Sequence, residues 1–390
     1  MKRLYVDTAA LTPVDPRVLR VMERLTTEAS ANPGSIHAEG ECAYAALEEA
    51  RHRVATFCGV KAYEVVFTSG GTESNNLALR GVIDALPRRN GHIITSAIEH
   101  SSVLEPIKEL ERRGCAVTLL TPNSDGLISI EQVMHALRPD TVLISLHLAN
   151  NELGVVQPIR DIARAVRTIR DERGSPYPYL HCDACQAARF IPLFLETLGV
   201  DLLTMSGAKI YGPRGVGVLI ARAGTNCAPL LMGGGQEHGL RSGTPDVAAI
   251  GGCAEAFSIC EEEREEESAH LTGLRDALIR KLSALPGVVI NGSLRHRLPN
   301  NVHVSFRGIT GERMVIELDR RGIAAATGSA CSSRTKSASH VMQALIPPEA
   351  GWRVDGAVRF TLGRGTIHEN VHFIGEQVSA ILATCIPSHN

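Results

Sequence analysis

One lysine in the stretch 201–217 has the surroundings of a functional residue. Lys209 follows an apolar run at Leu202 and Leu203 and the polar residue Ser206, and a glycine-rich turn comes after it. Because a strand end next to such a turn brings the backbone close to a ligand, the lysine is held at a fixed place beside it. A lysine there serves as a phosphate ligand or, once desolvated, as a nucleophile that forms a Schiff base. An ordinary surface lysine in a turn fits the same pattern, so other segments must decide.

Further polar residues come directly after predicted strands. The apolar strand 65–68 turns into a helix through a glycine pair, and the N–H groups and positive dipole end of a helix start favour a phosphate. The chain has neither the Gly-Lys-Ser/Thr ending of a P-loop nor a Gly-x-Gly-x-x-Gly at a helix start, which disfavours nucleotides. Because the carboxyl ends of parallel strands meet at one edge of a sheet, we expect one cleft to collect Thr72, His100, Asn151, Asp183, Gln186 and Lys209.

The chemistry of these side chains matches one kind of cofactor, a pyridine phosphate that carries an aldehyde. It needs a lysine for the Schiff base, an acid at the ring nitrogen, a phosphate cup, a flat partner for the ring and a donor for the phenolate oxygen. We assign the Schiff base to Lys209, the acid to Asp183 and the phosphate cup to the helix start at Gly71 and Thr72. His100 is assigned to the face of the ring and Gln186 to the phenolate oxygen. Taken singly, Asp183 also fits a turn cap and His100 a hydrogen-bonded strand-end histidine. Together, the five assignments predict a cofactor site.

The rest of the sequence describes the scaffold for this site. The chain has 390 residues, 44% apolar and 21% charged, with a net charge of −2, as expected for a soluble protein with one large domain and a smaller one. Predicted strands, among them 65–68, 141–146 and 179–183, alternate with predicted helices such as 160–171, which predicts a mainly parallel sheet covered on both faces. No apolar run is long enough for a membrane span, and no signal peptide is visible. The ten scattered cysteines then indicate reduced thiols in the cytoplasm.

Short motifs occur in a fixed order along nearly the whole chain. They are Tyr5-x-Asp-x-Ala-Ala, Phe67-Thr-Ser-Gly-Gly-Thr-Glu-Ser-Asn75, Glu99-His100, Asn150-Asn-Glu-x-Gly154, Asp183-Ala-x-Gln186, Ser206-x-x-Lys209, Leu240-Arg-Ser-Gly-Thr244, Gly328-Ser-Ala-Cys-Ser332 and Arg359-Phe-x-Leu-Gly-Arg364. This ordered set resembles the NifS/IscS-type cysteine desulfurases, which are class V, fold type I pyridoxal-phosphate enzymes.

The resemblance implies a fold and an assembly. We expect an α/β protein of the fold type I transferase class, with a large, mainly parallel sheet domain at 13–258 that binds pyridoxal 5'-phosphate. A smaller α/β domain is expected from residues 1–12 and 259–390. The resemblance also implies a homodimer, in which Thr244 reaches the phosphate bound by the neighbouring subunit, and it places Ser206 among the cofactor-binding residues.

The resemblance also implies a reaction. L-Cysteine displaces Lys209 from the cofactor while Arg364 and Asn151 hold its carboxylate. Lys209 or His100 removes the α-proton, and the ring opposite Asp183 takes up the electrons. Cys331 then attacks the substrate sulfur, which leaves alanine and a persulfide that is passed to an acceptor protein. No metal, membrane or direct nucleic-acid partner is expected.

Three features depart from the family pattern. Ala208 stands immediately before the lysine, where the family usually has histidine, and Thr8 stands where asparagine is common. The segment after Cys331 is long and polar and carries Arg334 and Lys336, which we expect to lower the pKa of the Cys331 thiol or to meet an acidic acceptor.

Several alternatives stay open at the level of sequence. Another class V activity, such as a selenocysteine lyase or an aminotransferase, would use the same site without Cys331, which would then be a small buried thiol. A sulfur-relay scaffold with reduced catalysis would be consistent with Ala208. The acceptor could serve iron–sulfur assembly, tRNA thiolation or DNA sulfur modification. The pair Cys182 and Cys185 is interpreted as core thiols rather than a zinc or redox site, and the charge run 261–267 as a solvated helix face.

Overall fold

The computed structural model describes residues 3–328 and 338–385. Its helices are α1 Pro16–Glu28, α2 Ala38–Cys58, α3 Gly71–Asp84, α4 Ser101–Arg112, α5 Ile130–Ala136, α6 Ile159–Arg173, α7 Leu195–Leu198, α8 Val247–Ser283, α9 Gly311–Arg320, α10 His340–Leu345, α11 Trp352–Asp355 and α12 His368–Cys385. Its strands are β1 Leu4–Tyr5, β2 Val65–Thr68, β3 His92–Ser96, β4 Ala116–Leu120, β5 Thr141–His147, β6 Tyr179–Asp183, β7 Leu202–Ser206, β8 Gly217–Ala221, β9 Val288–Ile290, β10 Asn301–Phe306, β11 Ile323–Ala324 and β12 Ala357–Thr361.

The largest sheet has seven strands in the order β2-β8-β7-β6-β5-β3-β4. The pairs β3–β4, β3–β5, β5–β6 and β6–β7 are parallel, whereas β8 runs antiparallel to both of its neighbours. The carboxyl ends of β5, β6 and β7 therefore lie side by side at one edge. The α/β class and the mainly parallel sheet predicted from the sequence are confirmed.

Both faces of this sheet are covered by apolar clusters. On β5, Leu143 packs into one cluster with residues of α3 and α4, and its neighbour Ile144 packs into a larger cluster that includes α2, α6 and α8. On β7, Leu202 and Leu203 divide in the same way. Because successive strand residues point to opposite faces, strands buried on both sides are mostly apolar, as Val142–Ile144 of β5 and Leu202–Leu203 of β7 are.

Two smaller sheets lie outside the seven-stranded one. Strands β9, β10 and β12 form an antiparallel sheet in the order β12-β10-β9, and the N-terminal strand β1 pairs in parallel with β11. The N-terminal arm thus joins the C-terminal third of the chain. Helix α8 is 37 residues long and connects the two parts, so the domain boundary expected at 258 falls inside a continuous helix. None of the described helices is both long and apolar enough to cross a membrane.

The charge run at 261–267 is only partly solvated. Arg264 and Glu267 are buried on the inner face of α8, while Glu261 and Glu262 are exposed. Glu267 forms an ion pair with Arg189, whose guanidinium comes from another part of the chain. The interpretation of the whole run as a solvated face is therefore wrong for these two residues.

Candidate active site

A cavity of about 240 Å³ lies at the carboxyl edge of the large sheet, beside the start of α3. The structure brings to its lining most of the residues predicted from the sequence, namely Gly71, Thr72, His100, Asn151, Asp183, Gln186, Ser206 and Lys209. It adds others that the sequence analysis did not select, among them Ala9, Ala10, Asn75, Ser102, His147, Cys185 and Arg359.

Lys209 lies in a single turn of 3-10 helix that follows β7. Its ammonium group donates hydrogen bonds to the carbonyl oxygens of Ala9, at 2.9 Å, and Ala10. The same N-terminal arm binds the backbone beside the lysine, because the N–H of Thr12 donates to the carbonyl of Ala208 at 3.1 Å. The arm therefore fixes both the lysine side chain and the residue that departs from the family pattern.

Asp183 ends β6 and is held as a carboxylate. Its Oδ1 accepts the backbone N–H of Cys185 at 3.0 Å, and its Oδ2 accepts the side-chain amide of Asn75 at 2.7 Å. Burial by itself would raise the pKa of Asp183, but these hydrogen bonds and the nearby His100 hold it below its ordinary value. The cavity thus presents a fixed negative charge that can pair with a protonated ring nitrogen.

His100 caps the N-terminus of α4 with its imidazole. Its Nδ1 accepts the backbone N–H of Ser102 at 3.1 Å and lies 2.8 Å from the hydroxyl of the same residue. Burial lowers the pKa of His100, although the charge of Asp183 opposes the shift. His100 is therefore a neutral, oriented ring at the wall of the cavity, as the assignment of a flat ring partner requires.

The start of α3 forms the end of the cavity expected to bind an anion. The turn from β2 into α3 passes through Gly71, where an added Cβ would lie 2.6 Å from the sulfur of Cys185. Glu73, in the first turn of this helix, accepts the N–H of Ser69 at 2.7 Å and pairs with Arg241 at 3.0 Å. The Glu73 carboxylate is therefore bound by a backbone N–H and by a guanidinium.

Arg359, on β12, is the arginine that lines the cavity. It is fully buried, its Nη2 lies 2.6 Å from a carboxylate oxygen of Asp7, and its Nη1 donates to the carbonyl of Asn151 at 2.9 Å. Its Nε has no hydrogen-bond partner in the described part of the chain. The guanidinium is therefore oriented by two groups, and its remaining N–H donors are left for a ligand.

Arg364, which was expected to hold the substrate carboxylate, does not line this cavity. Its guanidinium pairs with Glu267 at 2.8 Å, Asp15 at 3.0 Å and Glu263 at 3.1 Å, and it stacks 4.3 Å from the centre of the Tyr211 ring. These carboxylates already compensate its charge. The placement does not support the assigned role, and Arg359 is the better placed of the two arginines.

The remaining predicted residues are placed as follows. Gln186 lines the cavity and donates from Nε2 to the carbonyl of Ala9 at 3.0 Å. Thr244 is exposed and lies outside the lining. Cys331 lies outside the described residues, as do Arg334 and Lys336.

Comparisons with known proteins identify the family of the chain. The family described as aminotransferase class-V matches residues 4–374. A cysteine desulfurase IscS of Dictyoglomus turgidum is 41% identical over 98% of this chain and 95% of its own length. A solved structure of a NifS-like protein has a TM-score of 0.90 and 37% identity, and it covers 98% of this chain and all of its own. A structure described as SspA in complex with cysteine has a TM-score of 0.80 and 35% identity over 93% of this chain and 100% of that one. The chain therefore belongs to the aminotransferase class-V family and, within it, to the NifS/IscS-type cysteine desulfurases.

Proposed function

We propose that this protein uses pyridoxal 5'-phosphate to convert L-cysteine to L-alanine and captures the sulfur as a persulfide on Cys331. The observation that carries the proposal is that Lys209, Asp183 and Arg359 face one cavity beside the start of α3. A reactive amine, a fixed carboxylate and a buried guanidinium suit an amino acid bound to a pyridine cofactor. The names of the relatives support the choice of cysteine as the amino acid.

The residues of the cavity fit this cofactor. The start of α3 at Gly71 and Thr72 would bind the phosphate, and Asp183 would face the ring nitrogen. The ring of His100 would lie against the cofactor, with Gln186 as a donor to its oxygen. A buried oxygen of Asn75, Oδ1, has no partner among the described residues and lies on a residue that lines the cavity. When bound, the cofactor supplies an aldehyde that condenses with amines and a ring that withdraws electrons from the substrate.

Arg359 and Asn151 would bind the carboxylate of the substrate. The guanidinium of Arg359 is held by Asp7 and by the backbone of Asn151, so it need not reorganise when the substrate enters. A planar guanidinium binds a carboxylate through two parallel hydrogen bonds, which fixes the orientation of the amino acid as well as its charge.

Lys209 is the base for the α-proton of the substrate. Its amine donates to the carbonyls of Ala9 and Ala10 at the cavity wall, and it must leave these contacts and be unprotonated before it can accept the α-proton. His100 on the same wall is the alternative base; because its Nδ1 accepts the N–H of Ser102, the neutral ring carries its proton on Nε2 and would have to release it before it could accept the α-proton.

The sulfur step uses Cys331. Its thiolate attacks the sulfur of the substrate, so a new S–S bond forms while the C–S bond breaks. The electron pair of the broken bond stays on carbon, which takes up a proton and becomes the methyl group of alanine. The sulfur is formally oxidised and the carbon reduced by the same two electrons, so no external reductant or oxidant is needed. A second thiol, on an acceptor protein, then takes the sulfur from the persulfide.

We further propose that the protein is a cytoplasmic homodimer in which Thr244 of one subunit completes the phosphate site of the other. Thr244 is exposed and lies in the segment 222–246, which also carries the exposed apolar residue Met232. An exposed apolar side chain in the same segment as Thr244 is suited to a subunit interface.

The test of the proposed function is a product analysis with the purified protein. With pyridoxal phosphate, L-cysteine and a thiol reductant, alanine and sulfide should form in equal amounts, and borohydride should fix the cofactor to Lys209. A selenocysteine lyase would instead turn over L-selenocysteine and leave L-cysteine almost untouched. An aminotransferase would form a keto acid rather than alanine, and a relay scaffold would form neither product.

A further inference from the structure

One buried residue outside the cavity joins the turn that carries Lys209 to the strand that carries Arg359. Tyr211 comes two residues after Lys209, and only 6% of its surface is exposed. Its φ of +61° lies in the left-handed region, which residues with bulky side chains rarely adopt. Such a conformation persists only where the surrounding structure fixes the residue, and it is typical of functional positions.

The backbone of Tyr211 is bound by the N-terminal part of the chain. Its N–H donates to the hydroxyl of Thr12 at 2.7 Å, and its carbonyl accepts the N–H of Asp15 at 2.9 Å. The N–H of Thr12 in turn donates to the carbonyl of Ala208, the residue before the lysine. The position of Tyr211 is therefore coupled to the position of the turn that carries Lys209.

The side chain of Tyr211 is bound by the segment that follows β12. Its hydroxyl accepts the backbone N–H of Arg364 at 2.9 Å and Nη2 of Arg189 at 2.9 Å. The guanidinium carbons of these two arginines lie 4.3 Å and 4.5 Å from the centre of the ring. Gly363 packs against the same hydroxyl, because an added Cβ there would lie 3.3 Å from it. The hydroxyl is thus fixed against the backbone of residues 363 and 364.

This hydrogen bond joins two short pieces of chain that carry the two ligand-binding groups. Arg359 lies five residues before Arg364, in β12, which pairs with β10 along its whole length. Lys209 lies two residues before Tyr211. An amino acid is held at its amine end where the cofactor is bound to Lys209, and at its carboxylate end by Arg359. The contact between the Tyr211 hydroxyl and the Arg364 N–H therefore fixes the distance between the two ends of the site.

We propose that Tyr211 is a positioning residue that sets the spacing between Lys209 and Arg359 and so favours ligands that carry both an amine and a carboxylate. The inference rests on the proposed use of pyridoxal phosphate and on Arg359 as the carboxylate-binding group. A ligand held at two points gains from the second contact only when the two points stand at the matching distance. Tyr211 lies outside the lining of the cavity, so it acts through these two residues and not on the ligand.

The test compares two ligands that differ only in the carboxylate, L-alanine and ethylamine. Their binding to the full-length protein loaded with pyridoxal phosphate is followed by the absorption of the bound cofactor. Tyr211→Phe keeps the ring and removes the hydroxyl. It should weaken L-alanine about fivefold, as for the loss of one ordinary hydrogen bond, and ethylamine less than about twofold. Gly363→Ala, in which the added Cβ presses on the hydroxyl, should change the ratio of the two affinities in the same direction.

The matched control is Tyr179→Phe. Tyr179 is also buried, and its hydroxyl also binds the backbone, at the carbonyl of Gly224 at 3.2 Å, but it lies at the end of β6 opposite to Asp183. This variant should leave the ratio of the two affinities as in wild type. Arg364→Ala should change the ratio less than Tyr211→Phe does, because the backbone N–H that binds the hydroxyl remains.

A second measurement needs no cofactor. In cofactor-free protein, Tyr211→Phe should speed the hydrogen exchange of the Arg364 N–H, and Tyr179→Phe should leave it unchanged. An unchanged exchange rate in Tyr211→Phe, or an equal loss of L-alanine and ethylamine, would overturn this inference while leaving the proposed function intact. Failure of the wild-type protein to bind pyridoxal phosphate would instead overturn both.

Discussion

Replacement of Arg359 tests which arginine holds the carboxylate of the substrate. Arg359→Ala removes a buried guanidinium that contacts Asp7 and the backbone of Asn151 and keeps its Nε for a ligand. Truncating one partner of a buried, hydrogen-bonded charge pair costs about 3 kcal/mol. Since about 1.4 kcal/mol corresponds to a factor of ten, kcat/KM for L-cysteine should fall on the order of 10²-fold. Arg359→Lys keeps the charge but loses the planar guanidinium, so kcat/KM for L-cysteine should fall by a smaller factor, about tenfold.

The assay compares steady-state alanine formation in Arg359→Ala and Arg364→Ala. Arg364→Ala breaks the cluster with Asp15, Glu263 and Glu267 and should lower the unfolding temperature, but KM for L-cysteine should stay within about threefold of wild type. Cysteamine, which is cysteine without the carboxylate, serves as an internal control. Its binding, followed by the absorption of the bound cofactor, should be nearly the same in wild type and Arg359→Ala.

The opposite pattern would refute this reasoning. If Arg364→Ala raised KM for L-cysteine a hundredfold and Arg359→Ala left it unchanged, the ion-pair cluster around Arg364 would have to open when substrate binds. An equal loss of cysteamine binding in Arg359→Ala would show that the substitution damages the site and not the carboxylate contact.

Three other predictions follow from the structure. Burial lowers the pKa of His181 to about 4 and of His303 to about 3, so the unfolded chain binds more protons than the folded one below pH 6.5. The free energy of unfolding should therefore fall as the pH drops, by about 3 kcal/mol at pH 4 for His181 alone. Denaturant titrations at several pH values measure this, and a flat profile would contradict it. Gly71→Ala should weaken binding of pyridoxal phosphate in equilibrium dialysis because its Cβ would meet the sulfur of Cys185, and Cys185→Ala in the same chain should restore part of the affinity; no restoration would place the defect elsewhere. Cys331→Ser should keep the absorption spectrum of the cofactor but lose desulfurase turnover, and wild-type turnover in this variant would favour a lyase.

The elements that carry most of the site were predictable from local patterns. The sequence predicts the strands 65–68 and 179–183 with the bounds that the structure has, because each is a short, mostly apolar run that ends in a polar residue, the pattern of a strand buried on both faces. Helix α6, predicted over 160–171, runs over Ile159–Arg173 and ends at a left-handed glycine. Once these elements were placed, the convergence of Asp183 and Lys209 followed from the geometry of parallel strands.

The residues that were missed depend on packing between distant segments. Arg359 and Arg364 are five residues apart, and only the position of Arg359 within β12 shows which of them faces the cavity. Asn75 lies one helical turn after Gly71, so its place on the same face of α3 was a usable signal. The sequence predicts this strand only as far as 146, whereas β5 continues to His147, so the pattern does not single out that residue. The charge run predicts a solvated Glu267, but its partners, Arg189 and Arg364, come from other parts of the sequence and are not visible in the local pattern.

The most direct test of the proposed reaction is a single turnover with L-cysteine labelled with ³⁵S, in the absence of reductant and acceptor. The proposal predicts one alanine for each active site, with the label recovered on the peptide that contains Cys331 and released from it by a thiol. Alanine formed without label on Cys331 would contradict the transfer of sulfur to the enzyme. Label on Cys331 in a Lys209→Ala variant would contradict the dependence of that transfer on the lysine and its cofactor.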